Sequence, residues 1–469
     1  MNILSLEFLR LVAIALVIYY LLPARLQNIL LLAASYYFCY TWGLFQLYFL
    51  AGFAIFNFAL GHAIYRVIKF KRLLLWGGIL TNAGALLWFL FATILIFPRI
   101  DSSILDQRAL IKFVLLPVGL SYYALNCISY LIDINLRITK PTTNFIDFAL
   151  YLAWFPKLIS GPLELGRKFL PLLAEKRTVD NAALARNLTL ILVGLFRTSV
   201  IAGALALLLP SVALDNPQAH GNPVLLWAIF TYMFYLYNQF AGYSDIARGV
   251  SGLFGIPLTR NFAQPFFAKD FSDFWKRWHI SLSQWLQAYV YMPISRAFLR
   301  RNPSRSNIPN LIVPPLVTML VSGLWHGAES HLLVWGVLMG LYIMFENFRN
   351  LRRPANFAAS LPAWRKILER IFLFGCLFVA GVPFMLDLGE SRFFLRQSLL
   401  GWDGVPLDPR PIAILLLSLG LDWVQYHADD ELVFLKWPAW AQTILLAVIP
   451  LSVIIIDQLQ SAPPVFIYP

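Results

Sequence analysis

Two histidines in this chain stand where an imidazole can act on a reacting group. His326 lies in the run Ser322-Gly-Leu-Trp-His-Gly-Ala-Glu329, which separates two short apolar stretches. An ionisable residue inside apolar sequence is costly to keep and by default marks function. The flanking glycines let the backbone bend and let a substrate come close to the ring. The competing reading is a histidine hydrogen-bonded between helices as structural glue. His279 lies in Asp273-Phe-Trp-Lys-Arg-Trp-His-Ile-Ser-Leu-Ser283. On a helix, Asp273, Arg277 and Ser281 share one stripe, and His279 faces Trp275 and Ser283. Imidazole, with an ordinary pKa of about 6.5, suits proton transfer at neutral pH. It can also polarise a thioester or orient an acceptor hydroxyl. Here the competing reading is one incidental histidine on a helix lying in the membrane interface.

The sequence has 6 histidines, and His62, His220, His331 and His427 read as solvated, interfacial or structural. No Ser-His-Asp order, Cys-His pair, phosphate-cradling glycine loop or metal cluster competes with the other two. Cys39, Cys127 and Cys376 fall inside apolar runs without ligand spacing, so no metal is expected.

The elements that must carry these residues follow from composition. Of 469 residues, 59% are hydrophobic and 13% charged, against about 25% charged in a soluble domain. The expected fold is all-α and polytopic. Stretches near the ~20 residues needed to cross a bilayer fall at 3–22, 28–42, 44–65, 73–97, 111–134, 186–210, 224–242, 310–327, 331–347, 367–388, 411–425 and 440–457. This predicts about 11–12 transmembrane helices. The first stretch has no basic segment before it and no cleavage site after it, so it reads as a retained span. The net charge of +13 is explained by basic loops at 66–72, 137–186, 248–305 and 349–366, which all fall on one side if the spans alternate. The positive-inside rule puts that side in the cytoplasm. No basic stripe interleaved with aromatics points to nucleic acid; the partner implied is the lipid bilayer.

Two segments do not fit simple spans. Residues 148–165 are apolar but interrupted by Pro156, Gly161 and Pro162, which predicts a re-entrant or interfacial segment. Within 261–294, Phe271, Phe274, Trp275, Trp278 and Leu282 form the apolar face of a predicted interfacial helix. No pair of matching broken helices suggests the inverted repeats of a secondary transporter.

Several blocks carry a family resemblance. They are Leu116-Pro-Val-Gly-Leu-Ser-Tyr-Tyr123 with Ser129-Tyr-Leu-Ile-Asp133; Phe155-Pro-Lys-Leu-Ile-Ser-Gly-Pro162; Phe240-Ala-Gly-Tyr-Ser-Asp245 with Asn261-Phe262 and 273–283; and Ser322-Gly-Leu-Trp-His-Gly327. In this order, and with the tail Pro464-Val-Phe-Ile-Tyr468, the chain resembles the membrane-bound O-acyltransferases, in the branch with alginate O-acetylases and teichoic-acid D-alanylation transporters. The resemblance implies one membrane-embedded domain over 1–469 with its signature core at 110–340, many helices around a central funnel, and the histidines near its constriction. It puts His326 in the catalytic position and His279 in the second histidine position. Tyr243, Asp245, Asn261, Trp278 and Trp325 are expected to line the substrate.

The resemblance further implies acetyl-CoA as donor substrate with no bound cofactor, and an exported polysaccharide as acceptor. It also implies an extracytoplasmic esterase-like acetyltransferase as partner and the bacterial cytoplasmic membrane as location. After Trp285 the chain departs from the family pattern: Gln287 and Ala288 replace an Arg-Asp pair, and Ser295 and Arg296 replace two glycines. That touches the acceptor or partner surface more than the reaction class. D-alanyl transfer, peptidoglycan O-acetylation and non-catalytic lipid or sugar transport are the alternatives.

Overall fold

Apolar segments cannot leave backbone N–H and C=O groups to water, so they close their hydrogen bonds internally as helices. The computed structural model describes residues 1–96, 117–175, 177–178, 180–209, 222–304, 306–351, 361–400, 409–443, 447 and 452, and every regular element among them is helical. In chain order they are α1 (Leu6–Leu21), α2 (Ala24–Tyr40), α3 (Leu44–Arg66), α4 (Lys71–Ile96), α5 (Leu120–Asn135), α6 (Phe145–Ala153), α7 (Gly166–Ala174) and α8 (Asn181–Leu195). A π-helical turn (Phe196–Ala202) leads to α9 (Gly203–Leu208), then α10 (Asn222–Leu253), α11 (Phe271–Trp275) and α12 (Ile280–Leu286). A second π turn (Gln287–Tyr291) precedes α13 (Met292–Arg301), α14 (Ile308–His326), α15 (Ser330–Leu351), α16 (Ala363–Met385), α17 (Leu388–Leu400) and α18 (Arg410–Ala428).

Helices long and apolar enough to span a membrane are Leu44–Arg66, Lys71–Phe91, Asn181–Leu208, Ile308–His326, Ser330–Leu351 and Ala363–Met385. Their outward faces, and those of α1 and α18, carry large apolar side chains such as Val17, Trp76, Leu80, Trp88, Ile371 and Leu416. Water does not tolerate such faces, but lipid does. The chain is a multi-pass membrane protein. The expected spans at 3–22, 28–42, 111–134, 224–242 and 411–425 fall on α1, α2, α5, α10 and α18, which are helical but outside that set by length and apolarity. The expected span at 440–457, His220 and the loops at 98–110 and 211–221 lie largely or wholly outside the described residues.

The chain divides into two compact units. The first comprises Met1–Ile191 and Tyr243–Arg260. In it α3 and α4 are tied by a reciprocal amide pair, Asn57 to Asn82 at 3.1 Å and Asn82 to Asn57 at 2.8 Å. The predicted broken segment is indeed broken. α6 stops at Ala153, and the chain from Trp154 turns irregularly to α7. Its buried polar groups are satisfied locally: the Trp154 indole donates to Ser251 Oγ at 2.7 Å, and the Tyr151 hydroxyl donates to the Glu164 carbonyl at 2.9 Å.

The second unit comprises Leu192–Gly242 and residues from Asn261 onward. Its centre is the helical hairpin α14–α15. A Cβ on Gly336 would meet the Met319 carbonyl at 2.5 Å, and one on Gly323 would meet the Leu332 carbonyl at 2.5 Å, so glycine is what lets these helices touch. Phe271, Phe274, Met319, Trp335, Met339, Leu373 and Leu377 pack into one core beside the hairpin.

Candidate active site

His326 is the last residue of α14. The helix ends there because Gly327 takes an extended conformation, and its N–H returns to the Gly323 carbonyl at 3.2 Å. The predicted break between two apolar runs is this corner. It leaves a buried imidazole at a helix end, ringed by Trp325 (4.8 Å between centroids), Trp335 (5.2 Å) and Phe384 (5.1 Å).

The segment bearing His279 corrects one expectation. The 3.6-residue apolar pattern over 271–282 predicts one continuous helix, but the chain forms two short helices, α11 and α12, with His279 between them. An upstream stretch outcompetes the helix for its hydrogen bonds. Ile280 N–H donates to the Asn261 carbonyl at 2.9 Å and Ser281 N–H to Asn261 Oδ1 at 3.2 Å. Ala263 N–H donates to the Arg277 carbonyl at 2.9 Å. His279 is thereby driven to φ +42°, a left-handed conformation costly for a residue with a Cβ. Such strain persists only where the surroundings over-determine it, and it clusters at functional sites.

The break also redirects the ring. The His279 ring packs edge-on against Phe240 (4.8 Å) and near Trp325 (5.7 Å). Trp325 is thus a neighbour of both imidazoles. Burial, then the neighbouring His326 ring, holds the His279 pKa well below the ordinary imidazole value. Its Nε2 has no hydrogen-bond partner among the described residues, and neither has Asn261 Nδ2. Buried polar atoms left open in this way are what a substrate can satisfy.

The other expected site residues divide. Asn261 shapes the strained loop and offers a free donor, while Trp278 stacks on Phe274 (5.6 Å) and meets Phe262 edge-on (5.1 Å), supporting the loop. Tyr243 and Asp245 belong to the first unit. There the Tyr243 hydroxyl donates to Asn2 at 3.3 Å, and Asp245 pairs with Arg248 at 3.0 Å. Asp273 and Arg277, expected on one stripe, form an ion pair at 2.9 Å. His331 bonds the Pro383 carbonyl at 2.8 Å, in keeping with its structural reading.

Sequence reasoning missed Glu346 and Gln239. The Glu346 carboxylate, buried in α15, accepts from Phe271 N–H at 2.7 Å and from the Ser272 N–H and hydroxyl. It thereby caps α11, and the signal was an acid within an apolar helix. Gln239 is fully buried in α10, beside Phe240 in sequence, with neither amide atom partnered among the described residues. Trp335 and Phe384 carried no signal in a chain that is 16% aromatic.

An all-helical, multi-pass protein with two buried imidazoles sharing one indole neighbour is an integral-membrane protein equipped for proton-transfer chemistry. The chain belongs to the membrane-bound O-acyltransferase family, whose model matches residues 136–386, with His279 and His326 inside the match. It is therefore an acyltransferase. A probable alginate O-acetylase of Azotobacter vinelandii is 33% identical over 86% of this chain and 80% of its own length. One of Pseudomonas aeruginosa is 35% identical over 70% of this chain, which spans 62% of that relative. A peptidoglycan O-acetyltransferase of Helicobacter pylori is 28% identical over 83% of this chain and 77% of its own length.

Proposed function

We propose that the protein transfers an acetyl group from a cytoplasmic thioester, acetyl-CoA, for O-acetylation of an exported polysaccharide such as alginate, in the bacterial cytoplasmic membrane. The observation that carries this reading is the buried His279–Trp325–His326 arrangement, with an open Nε2 on His279. His326 acts as general base: it takes the proton of the acceptor hydroxyl as that oxygen attacks the thioester carbonyl. The C–O bond forms, the C–S bond breaks, and the proton passes to the departing thiolate. His279 and Asn261 hold the donor or acceptor through their open nitrogens. The acceptor hydroxyl belongs to the sugar, or to an extracytoplasmic esterase-like transferase that completes the placement. The similarity to probable alginate O-acetylases supports polysaccharide as the final acceptor.

The test is transfer from radiolabelled acetyl-CoA by membranes holding the full chain, with polymer and partner present. Wild type should move label to polymer, and His326→Ala should lose it at equal protein level, by on the order of 1,000-fold. Label movement unchanged in His326→Ala would sink the assignment of the base.

A further inference from the structure

A second buried polar cluster stands in the same unit as the histidines. Arg197, in the π turn after α8, forms an ion pair with Asp422 of α18 at 2.6 Å, both fully enclosed. Arg197 also donates to Gln425 at 3.1 Å and to Asn238 at 3.3 Å. The Tyr237 hydroxyl donates to the other Asp422 oxygen at 2.7 Å, and Asn238 donates to Ser418 at 2.8 Å. A buried ion pair gives little net stability over an apolar replacement, so conformational specification is the better account of it. α18 lies beyond the residues that the family model matches.

The cluster reaches the His279 loop by two routes. The Tyr237 ring packs on Phe262 (5.7 Å), Phe266 (5.1 Å) and Trp278 (6.0 Å), the residue before His279. Gln425, held by Arg197, accepts from Gln264 at 3.1 Å. Gln264 is itself left-handed, at φ +49°. The paired stretch around the active-site histidine thus contains two strained non-glycine residues, Gln264 and His279; Gln264 bonds Gln425, and Trp278, the neighbour of His279, packs on Tyr237.

We infer that Asp422, through Arg197, Tyr237 and Gln425, is a positioning residue that holds the strained His279 loop in its working conformation, making α18 part of the acyl-transfer apparatus. This rests on the proposed role of His279. A carboxylate here serves two partners at once, the guanidinium and the phenol, and so fixes the Tyr237 ring where Trp278 needs a wall.

Initial rates with acetyl-CoA and polymer, in membranes matched for folded protein, test this. Tyr237→Phe keeps the ring and loses the hydroxyl's bonds to Asp422 and Arg197; it should lower kcat about 10-fold and leave KM for acetyl-CoA unchanged. Asp422→Asn should cost on the order of 100-fold in kcat, the scale of a small misplacement of a reacting group. In a His279→Ala background, Tyr237→Phe should add no further loss, because the loop it positions no longer carries the ring. Wild-type kcat in Tyr237→Phe, or a loss that adds fully to that of His279→Ala, overturns the inference while leaving the role of His279 standing. Full turnover by His279→Ala overturns both, as does absence of acetyl transfer by wild type.

Discussion

At the scale of single residues, folding leaves several buried polar atoms open, two of them at the site. His279 Nε2, Asn261 Nδ2 and both amide atoms of Gln239 are buried and unpartnered among the described residues. A buried polar group without a partner costs its full desolvation, whereas an apolar group of similar shape does not. Gln239→Met should therefore stabilise the resting protein by about 1 kcal/mol, read as a higher unfolding midpoint in detergent. If substrate satisfies the amide, the same change should lower kcat/KM by about 10-fold; gain in stability with full activity would make Gln239 a mere packing defect. The depressed pKa of His279 gives a further expectation. The neutral ring is favoured in the fold, so any stability it contributes is present above the ordinary value of about 6.5 and is lost as pH falls through the lower folded value. Histidine NMR, assigned through His279→Gln, should show this ring still neutral at about pH 6. A ring titrating at the ordinary value would mean that water reaches it.

At the scale of elements, the two histidines were unequally legible. The corner at His326 could be read from glycine and histidine interrupting apolar sequence, because a local break has a local signal. The break at His279 could not. The apolar pattern over 271–282 is a sound helix pattern, and what overrides it is Asn261, remote in sequence, capturing the N–H groups that a helix would use. The other end of the segment is also held from afar: α11 begins where Glu346 of α15 gathers the first N–H groups and the Ser272 hydroxyl. Glu346→Gln places an amide donor among these donors and should destabilise the protein by about 1–3 kcal/mol. Activity should fall with it, because α11 leads directly into the His279 turn. A variant with wild-type thermal midpoint and rate would show that α11 docks through its aromatic residues alone. Phe271, Phe274 and Trp275 have that capacity, since they pack against the core shared with Met319 and Trp335.

At the scale of the whole molecule, the question set by the composition is which loops face which side of the membrane. The span series predicted from sequence puts 248–305 and 349–366 on the cytoplasmic side and 388–410 on the opposite one. In this region Ile308–His326, Ser330–Leu351 and Ala363–Met385 are consecutive candidate spans. Three candidate spans separate Ser304 from Arg392, so the two lie on opposite faces when all three cross. The basic helix α13 carries Arg296, Arg300 and Arg301, all exposed, and no acidic residue, and the positive-inside rule predicts it on the cytoplasmic face. The proposed acetyl-CoA donor carries phosphates and would come from that same side, which is the orientation the proposed reaction needs. Single cysteines at Ser304 and Arg392, both exposed, in a background lacking Cys39, Cys127 and Cys376, give the test. An impermeant maleimide should label Arg392→Cys in intact cells stripped of outer barriers, and Ser304→Cys only after the membrane is opened. Labelling of both from outside would mean that one of the three helices does not cross. Reversed labelling would put the arginines of α13 away from the thioester pool, and the acetyl group would then have to enter from the other side.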